Sequence, residues 1–231
     1  LFSGERGGER LTGRGACAIA AAITCHRGGH MKLYFAPGAC SLSPHIALLE
    51  GGLTADYEQV DLKAKTLKSG GDYREVNPKG SVPALKTDEG DVLTEGPAIV
   101  QYIADLAPGS ELAPKAGTKE RYKLMEWLNF ISTELHKMFS PLFRPNTPDA
   151  YKEIVKVNLA DKFAYVDQRL AKTQYLMGDH FTVADAYLYV MLRWAQSLKL
   201  DMSTFANLKT YFERVGARPK VREALQAEGL S

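Results

Sequence analysis

Hydrophobic and polar positions change their rhythm about halfway along the chain. From residue 31 to residue 106, short alternating apolar runs are interleaved with amphipathic ones; after Pro114 the apolar positions recur at helical spacing. In the first part, residues 32–36 (KLYFA) alternate as a strand, and SLSPHIALLEGG follows as a helix stopped by Gly51 and Gly52. Residues 56–62 form a second strand. The polar, glycine-containing stretch after it can hold at most a short irregular helix. Residues 82–87 and 91–95 read as a hairpin around Asp88-Glu89-Gly90, and 96–106 as an amphipathic helix with Pro97 near its start. The order βαβαββα predicts an α/β domain with a mixed sheet.

The second part predicts helices over 117–142, 148–172, 182–197 and 205–227, the last interrupted at Arg218-Pro219. Thr182 and Asp185 form a capping box ahead of FTVADAYLYVMLRWA, a segment apolar nearly all round and therefore the expected centre of an all-helical domain. The domain boundaries read as 31–110 and 117–231. Residues 1–30, rich in Gly and Arg, differ in texture. Their short apolar run, Ala16 to Thr24, lacks an A-x-A cleavage pattern, so a disordered or non-native extension is favoured over a secretory signal.

Composition narrows the functional classes. The net charge of +2 is scattered, which argues against a nucleic-acid surface, and no apolar run is long enough for a membrane span. Cys17, Cys25 and Cys40 are odd in number and lack C-x-x-C spacing, which argues against a disulfide framework and a zinc or other metal site, and for a reducing compartment.

Four features carry candidate chemistry. Cys40 lies between a strand and a helix start, where a helix terminus favours a thiolate; the competing reading is a small core residue. With Ser43 it makes C-x-x-S, so any intermediate disulfide needs an external thiol. Val82-Pro83 opens a strand at an edge; a cis bond would turn the Val82 backbone outward, whereas an ordinary trans proline is the common case. Glu95-Gly96 sits at a strand-to-helix junction, suited to an ammonium and a carboxylate, or merely to starting the helix. In residues 123–143, at about 100° per residue, Asn129, Thr133, His136 and Ser140 fall on one uncharged polar stripe, the pattern of a helix bordering a cleft.

Taken together, YFAPGACSLSPHIALLE, NPKGSVPAL, LTEGPAIVQYIAD, WLNFISTELHK and FTVADAYL resemble, in order, the segments of bacterial beta-class glutathione S-transferases, from Met31 to Ser231. The resemblance implies a thioredoxin-like N-terminal domain, an all-helical C-terminal domain, a cytoplasmic homodimer, glutathione as co-substrate and no metal. It favours the cis form of Val82-Pro83. It assigns Cys40 and His136 to catalysis beside the glutathione sulfur, Lys65 to a glutathione carboxylate, Val82 and Pro83 to backbone pairing, and Glu95 and Gly96 to the γ-glutamyl end. Many family members carry Ser at the Gly96 position, so here the backbone N–H serves without a hydroxyl. Asn129 and Thr133 are expected to complete the polar stripe, and Phe139, Phe143 and Trp194 to line the pocket for a small electrophile. The implied activity is conjugation of glutathione to hydrophobic electrophiles, with thiol-disulfide exchange or peroxide reduction through Cys40. A primary disulfide oxidoreductase and a non-catalytic binding protein of the same fold are the alternatives.

Overall fold

In the computed structural model, the described residues run from His30 to Leu230; the extension expected over residues 1–30, with Cys17 and Cys25, lies outside them except for His30. The sheet is built from β1 (Met31–Phe35), β2 (Ala55–Asp61), β3 (Thr66–Leu67), β4 (Ala84–Lys86) and β5 (Val92–Thr94), in the order β3-β2-β1-β4-β5. β1 pairs parallel with β2 and antiparallel with β4, which makes the sheet mixed. Parallel pairing requires a crossover, and α1 (Leu42–Glu50) supplies it.

Alternation along β1 fixes the layers. Leu33 and Phe35 face the helices with Leu42, Ile46 and Leu48, while Tyr34 and Ala36 face a smaller cluster around Tyr73, Val60 and Val82. Each fully buried Leu or Ile here contributes roughly 1.5–3 kcal/mol. The polar stretch between β2 and β4 holds β3 and, as its short irregular helix, a single turn of 3₁₀ helix at Tyr73–Glu75, capped by Asp72, whose carboxylate accepts from the Arg74 N–H at 2.8 Å. Tyr73 anchors it, fully buried and donating its hydroxyl to the Ser81 carbonyl at 2.9 Å.

The hairpin expected around Gly90 is present, with the Thr87 N–H donating to the Asp91 carbonyl at 2.8 Å, and α2 (Gly96–Leu106) follows. Beyond the linker come α3 (Lys119–Phe130), a π-helical stretch over Ile131–His136, α4 (Lys137–Phe143), α5 (Asp149–Leu170), α6 (Val183–Ser197), α7 (Ala206–Gly216) and α8 (Pro219–Ala227). The long helix expected over 117–142 is thus one rod with a wide turn in its middle. The helix expected over 205–227 is two, broken where Pro219 opens α8.

α6 is buried from Val183 to Leu192 and packs against α1. Its start is fixed by Asp185, which is fully buried and accepts from the backbone N–H groups of Thr182 (2.8 Å) and Leu176 (2.9 Å) and from the Tyr211 hydroxyl (2.9 Å). Two arginines clamp the helical part onto the sheet part: Arg121 forks onto Asp105 at 2.7 and 2.8 Å, and Arg218 onto Glu50 at 2.7 Å through both nitrogens.

Candidate active site

A cleft of about 900 Å³ lies between the sheet edge and the helices. Cys40, Lys65, Val82, Pro83, Glu95 and Gly96 line one side; His136, Phe143 and Trp194 line the other. With Ser140 on the helical side, ten of the residues singled out in the sequence share one space.

The turn before Cys40 is held from both ends. The Ser41 hydroxyl accepts from the Ala36 N–H at 3.1 Å, which closes the turn upon itself. Gly38, at φ 71°, adopts a backbone that a side chain would strain, and both its peptide groups are taken by the helical part. Its N–H donates to Glu228 at 2.9 Å, and its carbonyl accepts from the Trp194 indole at 2.8 Å. Glu228 is buried against the His45 ring, Nδ1 to Oε1 at 2.9 Å. Residues 190 positions apart thus set the loop that carries the thiol.

The Cys40 thiol donates to the Val82 carbonyl at 3.2 Å, and the Val82–Pro83 peptide is cis. The depressed thiol pKa expected from a helix start is not what the site produces. Burial pushes the Cys40 thiol up to about 12; the backbone N–H groups of Cys40 and Ser41 oppose this and are outweighed, and Glu95 adds to the rise. At neutral pH Cys40 is a neutral hydrogen-bond donor.

Glu95, between β5 and α2, has φ 69° and ψ 116°, an uncommon conformation for a residue with a side chain, costing about 1–3 kcal/mol and typical of ligand-holding turns. Its carboxylate is exposed and bound by Lys79, which also donates to Thr94 at 2.9 Å. The Lys65 ammonium donates to the Gly80 carbonyl at 2.7 Å. Gly96 starts α2 with open space around it: a Cβ there would meet only Pro83, at 4.0 Å.

Across the cleft, burial lowers the His136 pKa to about 4, reinforced by the Lys137 ammonium and opposed by Glu95. The ring is neutral at physiological pH. Its Nδ1 is hydrogen-bonded to the Tyr187 hydroxyl at 2.5 Å, and the same phenol, its own ionisation pushed far up by burial, lies beside Ser132.

Three expectations need correction. Asn129 and Thr133 stand exposed on the outer face of the helix, with the Thr133 hydroxyl donating back to the Asn129 carbonyl at 3.1 Å, and neither lines the cleft. The π-helical turn is the reason. An extra residue in that turn rotates everything after it by about 100° relative to a regular helix, so Ser132, His136 and Ser140 face the cleft instead. Phe139 is fully buried and absent from the lining; it packs behind Phe143 and Trp194, with ring centroids 6.2 and 5.5 Å away. Tyr187 was hidden in the sequence by the apolar residues of α6, and Lys79 by the polar loop; with Tyr189 two residues on, the phenol of Tyr187 gave no signal of its own.

Comparison with known proteins agrees with this architecture. Residues 38–106 match the glutathione S-transferase N-terminal domain and residues 130–219 the glutathione S-transferase C-terminal domain. A glutathione S-transferase GstA of Escherichia coli O157:H7 is 49% identical over 200 residues, spanning 87% of this chain and all of the relative. Among solved structures, the ternary complex of the bacterial transferase BphK is 54% identical with a TM-score of 0.85, covering 86% of this chain and all of the other. The beta-class glutathione S-transferase of Sphingomonas chungbukensis is 46% identical with a TM-score of 0.84, covering 87% of this chain and all of the other. With matches in both halves of the chain and a cleft where the halves meet, the chain belongs to the beta class of the glutathione S-transferase family and is a glutathione transferase.

Proposed function

We propose that this enzyme binds glutathione along the sheet side of the cleft and transfers it to small electrophiles whose hydrophobic body is held against the helices. The observation that carries this is the convergence of a neutral thiol, a peptide-pairing backbone and an exposed carboxylate on one side, facing a neutral His136–Tyr187 pair on the other. The Val82 backbone pairs with the cysteinyl unit of glutathione. Glu95 accepts from its ammonium, the Gly96 N–H donates to its α-carboxylate, and Lys65 takes the carboxylate at the glycyl end. A relative from a sphingomonad, 46% identical with a TM-score of 0.84, was solved with glutathione bound.

Catalysis consists of favouring the glutathione thiolate and placing it beside an electrophilic carbon. The Cys40 S–H, which donates to the Val82 carbonyl, turns to the incoming sulfur, and the neutral His136–Tyr187 pair keeps one proton beyond the bond between them; donors to the charged form lower a thiol pKa. The sulfur attacks, a carbon–sulfur bond forms, and the leaving group departs with its electron pair. Cys40 has a second activity: its sulfur attacks oxidised glutathione, forms a mixed disulfide and releases one glutathione, which takes the proton. Burial, which raises the thiol pKa, slows this attack at neutral pH.

Residues 31–110 form the glutathione-binding domain and 117–231 the electrophile domain, in a cytoplasmic homodimer. The exposed Tyr122, Met125 and Leu106, with uncharged Asn129 and Thr133 on the same rod, supply a face for the second subunit. Among the described residues no helix is long and apolar enough to cross a membrane. The test is calorimetric titration with glutathione followed by turnover of chlorodinitrobenzene. Micromolar to millimolar affinity with turnover above the uncatalysed rate is expected. Binding without turnover would point to a non-catalytic relative, and no binding would defeat the reading.

A further inference from the structure

Two cations stand on the helical side of the cleft with no role in the chemistry above. Lys137, next after His136, is exposed and lines the cleft; Arg193, next before Trp194, lines it too and donates only to the Leu230 carbonyl, at 3.3 Å. Among the described residues neither has a carboxylate partner, and the one carboxylate lining the cleft, Glu95, belongs to the opposite side and is bound by Lys79. Cations elsewhere occur both paired, as Arg121, Arg218, Lys123, Lys156 and Lys162 are, and without a carboxylate; what sets these two apart is their place in the cleft, on the side of Phe143 and Trp194. The cleft therefore concentrates positive charge where its apolar wall lies. That wall is made of Phe143 and Trp194, whose rings meet edge to face with centroids 5.2 Å apart.

Two cations without carboxylate partners beside an aromatic wall fit a ligand with a flat apolar body and an anionic end. The guanidinium fork matches a carboxylate in two parallel hydrogen bonds, and an ammonium adds a point charge. Lys137 also acts across this space, since its field contributes to holding the His136 ring neutral. A carboxylate placed between Lys137 and Arg193 would offset that positive field.

We propose that the cleft selects electrophiles bearing a carboxylate, an aryl or alkenyl acid whose charge is held by Lys137 and Arg193 while its apolar body lies on Phe143 and Trp194. The proposal rests on the transferase reading above. It assigns these two cations to the electrophile, the carboxylates of glutathione being taken by Lys65 and the Gly96 N–H.

A matched pair of substrates tests it: chlorodinitrobenzoate, which carries the carboxylate, and chlorodinitrobenzene, which does not. In both, the glutathione sulfur bonds to the chlorine-bearing ring carbon, chloride leaves with the bonding electrons, and the thiol proton goes to solvent. With rates normalised to the uncatalysed reactions, the wild-type enzyme is expected to favour the benzoate in kcat/KM by about tenfold. Added salt should erode that preference, a response that a purely structural role would not give. The double variant Lys137→Met, Arg193→Met should lose the preference, and the charge-preserving Lys137→Arg, Arg193→Lys should retain most of it. Should the double variant fold poorly, the single change Lys137→Gln at an exposed position carries the same expectation in part.

Equal use of the two substrates by the wild-type enzyme, with chlorodinitrobenzene turned over, overturns this proposal and leaves the transferase reading intact. A rise in KM for glutathione in the variants, with the benzoate preference unchanged, also overturns it and reassigns the cations to glutathione. Turnover of neither substrate ends both.

Discussion

The two sides of the cleft are built from different materials. On the sheet side, backbone groups, the Val82 carbonyl and the Gly96 N–H, stand among the side chains of Cys40, Lys65 and Glu95, beside a turn fixed at Gly38 by two hydrogen bonds to its peptide groups. On the helical side the contacts are side chains: Phe143 and Trp194, Lys137 and Arg193, with His136 and Tyr187 between. Backbone geometry survives substitution, so the sheet side is suited to one constant ligand. Side chains can be exchanged without moving the fold, so the helical side is where specificity can drift.

The widest difference should appear in α6, which supplies the helical side and depends on one buried acid. Asp185→Ala strips acceptors from two backbone N–H groups and a buried phenol, and should cost about 3 kcal/mol in chemical denaturation. An unchanged midpoint would mean the cap does not hold the helix. Next in size is Glu95→Gln on the sheet side. Loss of a charge-assisted contact to the glutathione ammonium should raise KM for glutathione about thirtyfold while leaving KM for the electrophile alone. A shared rise in both would erase the distinction between the two sides.

His136 gives a pH-dependent test of similar size. Its pKa falls from 6.5 to about 4 on folding, so between those values the unfolded chain binds more protons. Stability should therefore rise with pH through that window, reach its full value above 6.5, and fall as the medium is acidified toward 4. After discounting for partial exposure, His136→Gln should remove about 2 kcal/mol of that slope, read from urea midpoints at several pH values. The smallest effect is expected from Gly96→Ser. The space around Gly96 admits a Cβ, and an added hydroxyl should lower KM for glutathione about threefold. A raised KM would show that the γ-glutamyl end already fills that space.

Much of this was legible in the sequence because it is local. Period-2 and period-3.6 patterns, Pro219 and the Thr182–Asp185 box mark elements whose causes lie within a few residues. What the pattern did not reveal has distant causes. The π-helical turn that puts His136 and Ser140 out of register with Asn129 and Thr133 comes with no glycine or proline; a regular period had to be assumed, and it failed over one turn. Tyr187 reads as one more apolar position of α6 until His136, 51 residues earlier, is set against it. The Cys40 thiol was judged by its neighbours in sequence, which lower its pKa, whereas the folded surroundings that bury it raise it. The link from Glu228 to Gly38 leaves no periodic trace at all.

The most direct test of the division of labour in this cleft is the Cys40→Ala enzyme, assayed in parallel for conjugation of chlorodinitrobenzene and, by intact mass, for a reductant-sensitive glutathione adduct after exposure to oxidised glutathione. The expected result is that conjugation persists, reduced by about tenfold or less for one lost donor to the sulfur, while the adduct seen on the wild-type protein disappears. Loss of conjugation and adduct to the same extent would contradict it, and would make Cys40 the nucleophile of both reactions.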